Sequence, residues 1–205
     1  MNGRRLAVAG VALSIVSMSG CRVSTDKQGD NENVSVATPF GGVKVKTNDA
    51  TGIEGIGLPV YPGSELVKKK DKDNGSADVN LSFGKFQLRV KAASYRTTDD
   101  PEKVNAFYRN ALKKYGVVIA CQHDQPIGTP TRTDEGLTCA ENDNKKHINA
   151  KVDVSSGDKM ELKAGSKQHQ HIVGIEPEGS GTKFGLVALD LPVSFSGDGD
   201  SDARQ

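Results

Sequence analysis

One amphipathic helix, set in a chain that otherwise reads as strand and turn, constrains the fold more than any other stretch. Residues 98–121 run TDDPEKVNAFYRNALKKYGVVIAC. Asp100 suits an N-cap, Pro101 the first helical position and Gly116 the stop. Asp99, Asp100 and Glu102 complement the positive end of the helix dipole, and Lys113 and Lys114 the negative end. Val104, Phe107, Tyr108, Ala111, Leu112 and Tyr115 recur at helical spacing and make one apolar stripe. A bare stripe of this size is unfavourable in water, so it reads as the lid of a sheet rather than as a partner groove.

The sheet is announced by alternation. Val79, Leu81 and Phe83 alternate with polar residues, as do Phe86, Leu88 and Val90 after Gly84-Lys85. A two-residue turn with Gly first pairs Phe83 with Phe86, Leu81 with Leu88 and Val79 with Val90, all on one face. The helix stripe is expected to answer this face. Val34–Val36 and Val43–Val45 flank Thr38–Gly42 as a second hairpin. Glu65 to Lys72 reads as a lysine-rich edge strand, with Lys68–Lys70 a possible phosphate or anionic-lipid patch. Between two prolines, Tyr61 reads as part of a rigid turn. Further strands are expected at 117–121, 146–154, 159–164, 168–176 and 182–191. The expected architecture is α+β: an antiparallel sheet of six to eight strands with one main helix, about 100–115, on one face.

The N-terminus carries a different message. Arg4 and Arg5 precede an apolar run, Leu6 to Gly20, that is too short for the roughly twenty residues of a spanning helix. Met18-Ser19-Gly20-Cys21 resembles a bacterial lipobox, which implies lipidation of Cys21 and its exposure as the mature N-terminus. Arg22 stands where an aspartate would favour inner-membrane retention, so the outer membrane, periplasmic side, is expected. The domain reading is therefore a signal peptide at 1–20, a lipidated Cys21 with a tether through 33, one domain at 34–195 and a polar tail at 196–205. Asp198, Asp200 and Asp202 in that tail lack the rest of a calcium loop.

Two cysteines remain after Cys21, and an oxidising compartment predicts a Cys121–Cys139 disulfide. His123, two residues from Cys121, raises the possibility of a thiol nucleophile, which pairing would abolish. His169 and His171, at i and i+2 on a strand, point the same way and are the speculative metal pair; His123, His147 or Asp124 would have to complete it. No cofactor is expected. With Arg4 and Arg5 removed, 25 basic residues face 26 acidic ones, which leaves no nucleic-acid footprint. Tryptophan is absent and aromatics are sparse, which disfavours a stacking groove. Neither Gly-x-Ser-x-Gly nor His-Glu-x-x-His occurs.

The segments TPFGGVKVKT, LPVYPG, TTDDPEKVNAFYRNALKKYG, GLTC, ELKAGS and GTKFGLVALDLP together resemble an uncharacterised group of exported bacterial lipoproteins, across most of residues 34–192. The resemblance brings no activity or catalytic residue. The expectation is a non-enzymatic, lipid-anchored envelope protein with a binding or structural role, and the partner class this implies is another envelope protein. A metal- or small-ligand-binding periplasmic sensor using His169 and His171 is the alternative, and an envelope enzyme the second.

Overall fold

The computed structural model describes residues 22–28, 31–47, 55–67, 75–140 and 159–192. Its strands are β1 (Arg22–Gln28), β2 (Asn31–Thr38), β3 (Gly41–Thr47), β4 (Glu65–Leu66), β5 (Ser76–Phe83), β6 (Phe86–Thr97), β7 (Ile119–Gln122), β8 (Gln125–Pro126), β9 (Met160–Gly165), β10 (His169–Glu178) and β11 (Gly181–Asp190). Helix α1, Pro101–Leu112, runs into one 3-10 turn at Lys113–Tyr115. Among the described residues these form one antiparallel sheet in the order β1-β2-β3-β5-β6-β11-β10-β9-β7-β8, with the short β4 also on β6.

The mostly antiparallel sheet with one helix follows the sequence expectation, but eleven strands replace the expected six to eight. Two causes are physical. β8 has two residues, too few to show a period, while the edge strand read at 65–72 is described as β4 at Glu65–Leu66. β1 lies in the stretch read as a tether, because exposed edge strands need few apolar residues; it pairs with β2 from Arg22↔Ala37 to Gln28↔Asn31. The strand expected at 146–154 lies outside the described residues, as do Lys68–Lys70. Leu137 and Cys139 sit in a loop held by the isolated bridge Arg132↔Thr138.

The 79–90 hairpin has the expected register, Val79↔Val90, Leu81↔Leu88 and Phe83↔Phe86, and Gly84 turns with φ 58°. Its apolar row continues through Val45, Val34 and Thr25 on one side and Leu189 on the other. The helix, however, does not cover this face. Val104, Tyr108 and Leu112 are fully buried, and the main helix contacts run to β10, β9 and β11. Topology explains the correction. β11, β10 and β9 stand between β6 and β7, so the connection that holds α1 must cross about four strand spacings, ~19 Å, to deliver β7. The stripe therefore falls on the β9–β11 side, over Phe184, Leu186, Val173, Ile175 and Leu162, which alternate with the residues of the hairpin's face.

An aromatic cluster fills this layer. Phe184 lies 5.4 Å from Tyr108 and 5.5 Å from Tyr95 between ring centroids, and Tyr61 meets Phe107 edge-on at 5.1 Å. The loop 55–67 supplies Ile56, Leu58 and Tyr61 as the flank of the core.

Leu112→Ala should destabilise the protein by about 2–5 kcal/mol, the usual loss for a fully buried leucine, measured by urea unfolding. Leu81→Ala, half-buried on the opposite face, should cost roughly half as much. Equal losses would show that the helix side is not the principal core.

Candidate functional site

Cys121 faces away from the helix on β7 and bonds to Cys139, with a Cα–Cα distance of 5.5 Å across 18 residues of sequence. Both are buried beside Ile119 in a small cluster separate from the main core. The bond occupies both thiols, so the thiol-nucleophile reading is set aside. His123 is exposed instead in a two-residue turn where it and Asp124 both take positive φ, 50° and 59°. Beside the disulfide, the buried Lys163 donates to the Cys139 carbonyl at 3.1 Å and lies 3.4 Å from Glu161. Burial alone would raise the Glu161 pKa, but the hydrogen bond from Lys159 at 2.7 Å and the charges of Lys163 and Lys159 hold it below the usual carboxylate value.

His169 and His171 do share the helix-side face of β10, yet they have different surroundings. His169 is largely exposed, and its Nδ1 lies 2.9 Å from Asp190 Oδ1 on the facing strand. His171 stacks on Tyr115 with centroids 3.5 Å apart and rings 9° from parallel. Among the described residues its Nδ1 is buried without a hydrogen-bond partner. Tyr115 is held in turn: its hydroxyl donates to the Gly57 carbonyl at 2.7 Å, and Lys114 reaches the same oxygen. Gly57 has φ +74°, and a Cβ there would fall 2.3 Å from the Tyr115 hydroxyl. Only glycine fits this contact without displacement.

Among the described residues no group of three or more His, Cys, Asp and Glu is placed to hold a metal. His147, named as a third ligand, lies outside them, as do Cys21 and Asp198, Asp200 and Asp202. The geometry favours a packing role for His171 and a hydrogen-bonding role for His169, with Asp190 as its partner. Tyr61 is buried in the core, with its hydroxyl donating to Asp99 Oδ2 at 2.8 Å. That hydrogen bond, then the one from Lys103 at 3.0 Å, holds Asp99 below its ordinary pKa.

At the end of β11 an open groove of about 680 Å³ is lined by Phe86, Leu88, Arg89, His169, Asp190 and neighbouring residues. It exists because β6 outruns β11: their pairing stops at Arg89↔Asp190, while β6 begins three residues earlier at Phe86. The register sets Arg89, His169 and Asp190 together on the helix-side face at this end, with Phe86 and Leu88 on the other face, and the three polar groups suit a small polar or zwitterionic group. Sequence reasoning found His169 here but missed Asp190, which the β10–β11 pairing sets opposite it, and Arg89, which the β6–β11 pairing adds. The Tyr115–His171 stack was equally hidden, since no spacing rule links a helix end to a strand 56 residues later. Comparison with protein-family models, with curated proteins and with solved structures finds no match to this chain.

Replacing Cys121 and Cys139 together by serine should cost about 3 kcal/mol for a loop of this length, lowering Tm by about 6–12 °C. Calorimetry of the oxidised wild type against the double variant measures it. A pH dependence follows from His171. Burial, with Lys114 and His169 adding and Asp190 opposing, pushes its pKa below the ordinary 6.5. The unfolded chain therefore takes up the proton first as pH falls. Stability present above 6.5 should be lost as pH drops from there towards the lower folded value. Urea midpoints should fall between pH 7 and pH 5 in the wild type, and the fall should be smaller in His171→Phe.

Proposed function

We propose that the protein is a non-enzymatic, lipid-anchored component of the bacterial cell envelope, facing the periplasm from the outer membrane, with a binding or structural role. The observation that carries this reading is the sequence Met18-Ser19-Gly20-Cys21 behind a short apolar run, with Arg22 following the cysteine. The Cys121–Cys139 disulfide supports it, because such bonds persist outside reducing compartments. Among the described residues no helix is long and apolar enough to cross a membrane. Attachment then rests on the acyl chains, each buried CH₂ contributing about 0.8 kcal/mol.

The start of β1 at Arg22 gives the anchor a particular character. The sheet begins at the residue after Cys21, so the domain is held close to the bilayer rather than on a leash. Binding, on this reading, uses surfaces near that end, where the open groove beside His169 and Asp190 lies. Its shape favours a small-ligand role as the second reading, with His169 rather than the stacked His171 as the contacting imidazole.

Cells fed an alkyne palmitate analogue should label the wild-type protein, and Cys21→Ala should abolish the label and release the protein into the soluble envelope fraction. Absence of label in the wild type, or label that survives Cys21→Ala, overturns the lipoprotein reading.

A further inference from the structure

Strand register places one corner of the sheet beside the mature N-terminus. Arg22, Ala37, Gly42, Ser82 and Gln87 form one row across β1, β2, β3, β5 and β6. The next row outward holds Thr38, Gly41, Phe83 and Phe86, and beyond it lie the turns Pro39–Phe40 and Gly84–Lys85. The turns touch: the Gly84 amide donates to the Phe40 carbonyl at 3.2 Å. Cys21 is one peptide bond from Arg22, about 3.8 Å between Cα atoms, so the chain leaves the sheet at this same end.

The surface here is unusual for a strand end. Phe40 is 84% exposed and Phe83 45%. The exposure of Phe40 is built in rather than incidental. The Thr38 hydroxyl accepts from the Phe40 amide at 3.3 Å and donates to the Gly41 carbonyl at 2.8 Å. A Cβ on Gly41 would lie 2.0 Å from the Ser82 carbonyl oxygen, so the turn is pressed against β5 and holds the ring outward. Arg22, Lys85 and Arg89 are exposed cations at this same end of the strands. Among the described residues, the nearest acid on the neighbouring strand, Asp190, is engaged by His169. Asp134 and Glu135 belong to the loop bridged to Ser166 beyond β9, roughly 14 Å of sheet away from β6. Asp99, Asp100, Glu102 and Glu178 gather at the opposite end of the strands.

We propose that this corner is a membrane-contact tip, in which Phe40, flanked by Phe83, enters the headgroup boundary and Arg22, Lys85 and Arg89 meet the phosphates of anionic lipids. The proposal rests on the reading of Cys21 as the lipidated residue. One aromatic and three cations bind a bilayer weakly alone, but the acyl anchor supplies a high effective concentration, so a weak contact is enough to fix orientation. The outcome is a domain with a set face towards the lipid, and with the His169–Asp190 groove bordering the headgroups.

Mature lipidated protein carrying Pro39→Cys or Ser180→Cys, labelled with an environment-sensitive fluorophore while the native disulfide is oxidised, is reconstituted into vesicles containing phosphatidylglycerol and a headgroup-region nitroxide lipid. The probe at 39 should be quenched, and the probe at 180, at the far end of β10 and β11, should not. Lys85→Glu should shift the seated population by about fivefold or more, and Phe40→Ala should lower quenching at 39 while the protein stays vesicle-bound. Equal quenching at 39 and 180 on vesicle-bound protein overturns the tip, as does shielding at 39 that depends on protein concentration in detergent, which would mark a contact between copies. Failure of the lipid-anchor reading is separate and shows as absent palmitate label.

Discussion

The pairing of β6 with β11 is the constraint on which the rest of the architecture depends. Nine residue pairs, from Thr182↔Thr97 to Asp190↔Arg89, join the strands before the helix to those after it. Without this seam the N-terminal strands and the β9–β10 ladder would be separate small sheets, neither with a full layer to cover it. The seam also decides where the helix lies. Four antiparallel steps separate β6 from β7, so the two run parallel and need a crossover, and α1 supplies it. The core therefore forms over β11, β10 and β9, and the hairpin's valine and phenylalanine face looks the other way.

The aromatic cluster turns that layout into a single packed unit. Phe184 stands on β11, Tyr95 on β6, Phe107 and Tyr108 on α1 and Tyr61 on the 55–67 loop, so the rings lock four separate stretches of chain. Polar contacts fix its far edge. Asp99 receives the Tyr61 hydroxyl and the Lys103 ammonium through its carboxylate, and its carbonyl receives the Thr182 hydroxyl at 2.6 Å. One residue before the helix thus ties loop, helix and β11 together. Its value lies in geometry more than in charge, since the Lys103 pair is solvent-exposed and such pairs contribute little.

Local rules made part of this legible. The helix limits, the 84–85 turn and the register of Val79, Leu81 and Phe83 all follow from spacing within about twenty residues. The disulfide was legible because only two cysteines were left to pair. The destination of the helix was not, because the pattern FGLVAL at 184–189 is apolar on both faces of β11 and conceals which side is covered. Phe184 and Leu186, not Val187 and Leu189, belong to the helix layer. β1 was hidden for the opposite reason, as a polar edge strand whose partner, not its own composition, makes it a strand. The groove residues Arg89 and Asp190 lie 101 positions apart and meet only through the seam.

The same seam gives the molecule two unlike ends. The end where β6 runs into α1 holds the Asp99 junction, the helix N-terminus and its acids, with Glu178 beside the β10–β11 turn. The other end holds Arg22, the paired turns, the exposed Phe40 and the groove beside His169. A helix dipole running between them places its negative end, with Lys113 and Lys114, towards the second. On the lipid-anchored reading this polarity has a direct consequence. A negatively charged bilayer attracts the cationic corner, while at the other end Lys103 and Arg96 pair with Asp99 and Glu178, so electrostatics and the short attachment at Cys21 act in the same sense. Orientation then requires no partner protein, and the acidic end is left facing away from the membrane as the surface available to one.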